Sequence, residues 1–268
     1  MKLKSFVSLA FVLVAALSAS ASAELKIENL AFRMAKYGPV CGKAEYCVGE
    51  TVYLTCDMTG MQTDPEGRVD VEINMTVQTR EGQVLVPSKR VVALQEKPLY
   101  SAGRLAVVLN VTPGAEWPKG EYVVKVEAGD RAANATAGAE FAFTLTPPRF
   151  GLLDARMALD AEGQALIPFH VQKGMHAYIL MTLAAPTYGE NNLLDISLDI
   201  NVRDEAGNLV GSQNVLDVRQ NLGQPILFIP VNVSLSFNVP GKLEYELVVL
   251  DRNSRKAESV KLPVVVHE

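Results

Sequence analysis

One stretch of this chain is written twice. Residues 70–85, DVEINMTVQTREGQVL, return at 195–210 as DISLDINVRDEAGNLV, with Asp70 over Asp195 and Gly82 over Gly207 at a constant offset of 125 (195 − 70). A repeat at fixed spacing means that one folding unit has been duplicated, which constrains the fold more than any single motif can. The same offset lays Cys47-Val48-Gly49-Glu50 over Gln172-Lys173-Gly174-Met175 and Tyr53 over Tyr178. Further along, the offset falls to 121 (241 − 120), with Gly120 over Gly241 and Asp130-Arg131 over Asp251-Arg252. The second copy is thus four residues shorter (125 − 121). The loss is expected among Gln95 to Pro118, where Thr112-Pro113-Gly114 and Trp117-Pro118 read as a loop that absorbs length change at little cost.

Apolar residues in both copies alternate with period two, as half-buried strands require, and nowhere hold a helical period. Val71, Ile73, Met75 and Val77 share one face, and Ile196, Leu198, Ile200 and Val202 keep the same parity. A slip of one residue would turn either set toward water. Arg80-Glu81-Gly82-Gln83 and Glu205-Ala206-Gly207-Asn208 then read as hairpin turns. In the first copy strands are expected near 25–33, 50–59, 69–79, 83–94, 103–111, 120–128 and 138–146, about seven short strands at the spacing of a sandwich.

Outside the repeat, Lys2 and Lys4, an apolar run from Phe6 to Leu17 and the small residues Ala21-Ser22-Ala23 follow the order of a cleaved export signal. The run is shorter than the roughly 20 residues a membrane-spanning helix needs. The expected division is 1–23 export signal, 24–146 first domain and 147–268 second domain, with the join at Thr146-Pro147-Pro148. About 245 residues remain after the signal, and 49% hydrophobic content supports two real cores. A net charge of −5 without a basic stripe excludes the phosphate-neutralising footprint that nucleic acids need.

Gly120-Glu121-Tyr122 resembles the approach to the penultimate strand of immunoglobulin-like domains, where a tyrosine hydroxyl ties a corner back to the main chain. Leu243 stands at the matching place in the second copy, so no such corner is expected there. The fold expected is all-β, two tandem immunoglobulin-like β-sandwich domains. Cys47-Val48-Gly49-Glu50, Gly67 to Asp70, the Pro147 to Gly151 link and the closing Asp251-Arg252 with Lys256 resemble a group of uncharacterised exported bacterial proteins, common in planctomycetes, with two such domains in tandem. The Gly-Glu-x-Val strand start is also similar to that of macroglobulin-type sandwich domains. Both resemblances imply fold and export, and neither implies an activity.

Cys41, Cys47 and Cys56 are the only cysteines. Cys56 is in phase with Val52 and Leu54, which places it on a core face, and Cys41 and Cys47 are then expected to pair as a disulfide. A three-thiolate metal site would need a fourth ligand and shorter spacings. His176 reads as a hydrogen-bonded structural residue, and neither a His-Glu-x-x-His pair nor a Gly-x-Ser-x-Gly elbow is written here. Acidic and amide residues gather from Asp57 to Asp70 and at Glu190, Asn191, Asn192 and Asp195, where a solvated turn competes with a calcium loop. Trp117, the lone tryptophan, is a candidate contact residue, with local packing as the competing role. No catalytic residue, metal ligand or cofactor site is expected. The sequence therefore reads as a non-enzymatic structural or protein-interaction module outside the cytoplasm, secreted, periplasmic or at the cell surface, with an unidentified protein or cell-envelope partner. The alternative is a small-ligand binder, for carbohydrate or calcium, using sandwich loops or the cleft between domains.

Overall fold

A computed structural model describes residues 24–42, 44–97 and 103–268, so the expected export signal at 1–23 lies outside the described residues. The first copy forms β1 (Lys26–Arg33), β2 (Val40–Cys41), β3 (Glu45–Cys47), β4 (Val52–Thr59), β5 (Val69–Thr79), β6 (Val84–Glu96), β7 (Arg104–Val111), β8 (Gly120–Asp130) and β9 (Ala135–Thr146). The second forms β10 (Gly151–Ala158), β11 (Leu166–Ile167), β12 (His170–Gln172), β13 (Met175–Ala184), β14 (Leu193–Arg203), β15 (Leu209–Asn221), β16 (Phe228–Phe237), β17 (Gly241–Asp251) and β18 (Lys256–His267). The sheets run β2-β1-β4-β7 and β3-β9-β8-β5-β6 in the first copy, then β11-β10-β13-β16 and β12-β18-β17-β14-β15 in the second. Adding nine to each label of the first copy reproduces the second. The molecule is two tandem immunoglobulin-like β-sandwiches of one topology.

All seven strands expected in the first copy are present. Two more, β2 and β3, are too short to carry a period. They matter nevertheless: β1 lies in one sheet, and the chain then crosses so that β3 joins the other, parallel to β9. β12 repeats this beside β18. The alternation read from sequence is the core. Val71, Ile73, Met75 and Val77 are buried on β5, and Ile196, Leu198 and Ile200 on β14. Gly82 and Gly207 take φ of 93° and 84° in the hairpin turns, a conformation open to glycine without the steric cost of a Cβ.

Strand pairing relocates part of the length difference. Met75 and Val77 pair with Lys89 and Val86, whereas Ile200 and Val202 pair with Gln213 and Gly211, so β6 carries one extra residue as a bulge. The other three lie between β7 and β8, where Val111 to Gly120 answers to Leu235 to Gly241. A bulge absorbs an inserted residue inside a strand without disturbing the flanking register, which is why an ungapped reading of the sequence missed it.

The duplicated Asp-Arg pair fastens each sandwich. Asp130 Oδ2 accepts the Gln62 N–H at 2.6 Å while its Oδ1 accepts those of Ala132 and Ala133 at 3.0 and 3.2 Å. Asp251 does the same with Thr187 at 2.8 Å and with Asn253 and Ser254 at 3.0 and 3.1 Å. Both carboxylates are buried, at 1% and 0% exposure, and each joins a hairpin to the loop that leads into the neighbouring strand. Beside them Arg131 pairs with Asp70 and Glu72, and Arg252 with Asp195 and Asp217. Burial works to raise the Asp251 carboxyl, but the N–H bonds from Thr187 and Ser254 outweigh it and hold the group below its ordinary range. The stability that this provides is present at neutral pH and disappears as pH falls through the depressed value. Replacing Asp251 by Ala orphans three N–H donors, and urea unfolding at pH 7 is expected to show a loss of about 3 kcal/mol. The gap between the two proteins should narrow in acid.

Candidate functional site

The first copy's strand-entry segment turns toward the second domain. Gly49 stands at φ 85°, and a Cβ built there would lie 2.4 Å from Phe228 Cζ. Its counterpart Gly174 takes φ 81° with nothing within 4 Å. Both turns need a left-handed residue, but only the first also needs bare backbone for a close approach. Around that contact Cys47, Leu153 and Ala184 form a small buried cluster with Phe228 packed against it. Ala35 and Met34, from the loop after β1, pack into the second domain's core.

A polar cleft of about 440 Å³ opens beside this contact, lined among others by Arg33, Cys41, Tyr46, Glu50, Asp154 and Glu258. Asp154 reaches across it. Its Oδ1 accepts the Thr51 N–H at 2.9 Å, joining β10 to the start of β4. It sits in a bulge of β10 at φ 54°, and Asn29, the equivalent residue of β1 (154 − 125), takes φ 52° in the same bulge. Asn and Asp tolerate this left-handed backbone better than other residues with a Cβ. The two copies then diverge, because Asn29 is bonded within its own domain, to Asp57 Oδ2 at 2.7 Å. Burial pushes the Asp154 carboxyl up to about 6, with Glu50 adding to the rise and Thr51 and Arg156 working against it. Glu50 Oε2 accepts the Cys47 N–H at 3.0 Å, and Arg33 donates to Gly38 O at 2.8 Å and to Thr55 Oγ1 at 3.1 Å. Burial also drives the Tyr46 hydroxyl well above its ordinary range.

The expected Cys41–Cys47 disulfide is not formed: all three cysteines are thiols. Cys47 is drawn into the apolar contact with the second domain at 0% exposure, whereas Cys41 Sγ faces the cleft, 3.9 Å from Tyr46 Oη. Cys56 occupies the core face read from its parity, and burial, with Asp57 adding, raises its thiol to about 11. Trp117 is half-buried, its ring stacked on Tyr122 at 5.4 Å, so packing accounts for the residue proposed as a contact. Tyr122 Oη donates to Pro118 O, which is the tyrosine corner. His176 Nδ1 lies 2.8 Å from Ser236 Oγ, and an unforeseen pair, His170 and His267, meets where β12 runs beside β18, with rings 5.6 Å apart.

The acidic segments are occupied with structural bonds. Asp57 pairs with Arg104 at 2.7 Å, Asp64 Oδ1 accepts the Arg68 N–H at 2.7 Å, and Asp195 pairs with Arg252 and Arg219. Among the described residues no three His, Cys, Asp or Glu side chains group as metal ligands, and no helix is long and apolar enough to cross a membrane. Asp154 and Glu50 escaped the sequence reading. The signal that could have found Asp154 was its alignment with Asn29, two residues fit for the same left-handed bulge.

No protein-family model and no curated protein matches the chain. Among solved structures, the C-terminal domain of the Streptococcus agalactiae AgI/II polypeptide BspA is similar with 11% identity, covering 91% of this chain and 100% of that one, at a TM-score of 0.30. The CARDB domain of a Pyrococcus furiosus protein, solved in complex with di-metal ions, is similar with 13% identity over 47% of this chain and 94% of its own, at a TM-score of 0.28. Overlap this slight transfers no function.

Two outcomes follow for the junction. Alkylation of the native protein without reductant is expected to label Cys41 alone, and all three cysteines after unfolding in denaturant. A raised carboxyl favours the folded protein when protonated, and that contribution is lost as pH rises through about 6. Asp154→Asn keeps an acceptor for Thr51 and tolerates the backbone, so its thermal midpoint at pH 7.5 should exceed that of the unaltered chain. The difference should vanish near pH 4.

Proposed function

We propose that the chain is a non-catalytic exported module that presents protein-interaction surfaces at the cell surface or in the periplasm, its two sandwiches held at a fixed junction. The observation that carries this reading is the junction itself. Gly49 packs on Phe228, Asp154 holds Thr51, and Ala35 is seated in the core of the second domain, so the domains are braced by more than the four residues between β9 and β10. Contacts of this kind restrict the free relative motion that a short linker alone would leave. The polar groups that a reaction would draw on are engaged elsewhere: Asp130 and Asp251 cap hairpins, Arg131 and Arg252 pair with acids of their own domain, and His176 is bonded to Ser236. Export is supported by the charge, apolar run and small residues at the start of the sequence.

The cleft favours one second reading, a small-ligand binder at the junction, because Arg33, Asp154 and Glu258 all line a space large enough for a sugar or amino acid. Pull-down from the native envelope with the immobilised exported chain, run beside thermal melts in calcium and in sugars, separates the two. Saturable capture of one envelope protein with unchanged melting midpoints is the expected result. A concentration-dependent rise in midpoint without capture would replace the interaction reading by the ligand reading.

A further inference from the structure

Each copy shows what the other lacks. In the first domain Trp117 stands three residues before Gly120, which opens β8; in the second Asn238 stands three residues before Gly241, which opens β17. Two residues into those strands are Tyr122 and Leu243. On the neighbouring sheet edge Val86 pairs with Val77, and Gly211 pairs with the equivalent Val202. At three related positions, therefore, a large side chain of the first domain is exchanged for a smaller one in the second. In the first domain the indole stacks on Tyr122, and Leu85 and Val86 pack on the same core. In the second, a cavity of about 520 Å³ has Gly211, Asn238 and Leu243 all on its wall.

Nothing in the backbone demands the glycine. Gly211 is absent from the residues with positive φ, and a Cβ there would meet only Val202, at an ordinary 3.8 Å. The missing side chain leaves room and does no other work. The cavity is lined by Val202, Val239 and Leu243 together with Ser234, Ser236 and Asn238, and its lining is uncharged throughout. Such a lining suits a neutral flat ring whose N–H or O–H meets a hydroxyl or amide oxygen. Both flanking strands, β15 and β16, end their sheets, so their outer backbone groups are open to an added strand.

We infer that this hollow is a binding site for an aromatic side chain, tryptophan foremost, carried on an extended segment of a partner protein and taking the place that Trp117 fills within the first domain. The inference rests on the interaction-module reading and gives the partner its chemistry. An extended segment pairing with a sheet edge directs alternate side chains to one face, and one of them reaches the cavity.

The test is isotope-edited NMR on the exported chain, titrated with a short extended peptide bearing a central tryptophan, with the same peptide bearing alanine, and with N-acetyltryptophanamide. Shifts at Val202, Gly211, Val239 and Leu243 are expected with the tryptophan peptide, and affinity about tenfold or more weaker with the alanine peptide. Asn238→Trp and Gly211→Val refill the hollow with the first domain's own residues. Each should abolish the shifts while the melting midpoint holds or rises, which shows that the fold is intact. Shifts that persist in both variants, or no shifts at millimolar peptide, would overturn the site. Equal affinity for N-acetyltryptophanamide and the peptide would overturn the protein-segment assignment in favour of free aromatic solutes. Envelope capture that survives Asn238→Trp would sink this inference and leave the interaction module standing, whereas loss of capture in that variant alone supports both.

Discussion

Two buried carboxylates hold the architecture together. At the ends of β8 and β17, the buried carboxylates of Asp130 and Asp251 each accept from three backbone N–H groups. Those groups belong to two separate pieces of chain, the following turn and the loop before β5 or β14, so one side chain fixes the entry of one strand against the exit of another. A hydrogen bond to a charged acceptor is stronger than a neutral one, and its loss inside a protein costs more than its presence contributes. The adjoining arginines then pair with acids on the strands that the carboxylates have positioned. The repeated Asp-Arg is thus a folding device with two parts, one buried and one exposed.

Duplication also explains where the domains differ. Asn29 and Asp154 sit in the same bulge with nearly the same φ, yet one serves its own domain and the other grips its neighbour. Likewise Gly49 and Gly174 share a turn, and only Gly49 has a partner ring against it. A tandem repeat places equivalent surfaces in unequal surroundings, since the first copy has a domain after it and the second has one before it. The cysteines follow this logic. Cys47 lies at the contact between domains, where its counterpart in the second copy, Gln172, is exposed on β12.

The sandwich was legible because alternation over eight or more residues is a long signal. Val71 to Val77 and Ile196 to Ile200 announced their faces, and Tyr122 its corner. β2 and β3 were not legible: a strand of two or three residues has no period, and β3 moreover pairs with a partner about 100 residues away in sequence. The cysteine pairing failed for a related reason. Loop length permitted a Cys41–Cys47 bridge, but Cys47 is drawn into the contact with the second domain, which local spacing does not report. Asp154 was silent because its role depends on burial at a contact between domains. The hollow of the second domain required both copies in three dimensions, since an absent side chain leaves no mark on a sequence until its counterpart is placed beside it.

The crossing of each leading strand between sheets has a mechanical consequence. β3 runs beside and parallel to β9, the last strand of its domain, and β12 beside β18 in the same way. Tension applied to the two ends of a domain draws these neighbours in opposite directions along their length. The ladder is then loaded in shear, its hydrogen bonds strained together instead of parting one after another like a zip. Arranged in series, the two domains carry two such clasps along the line of pull.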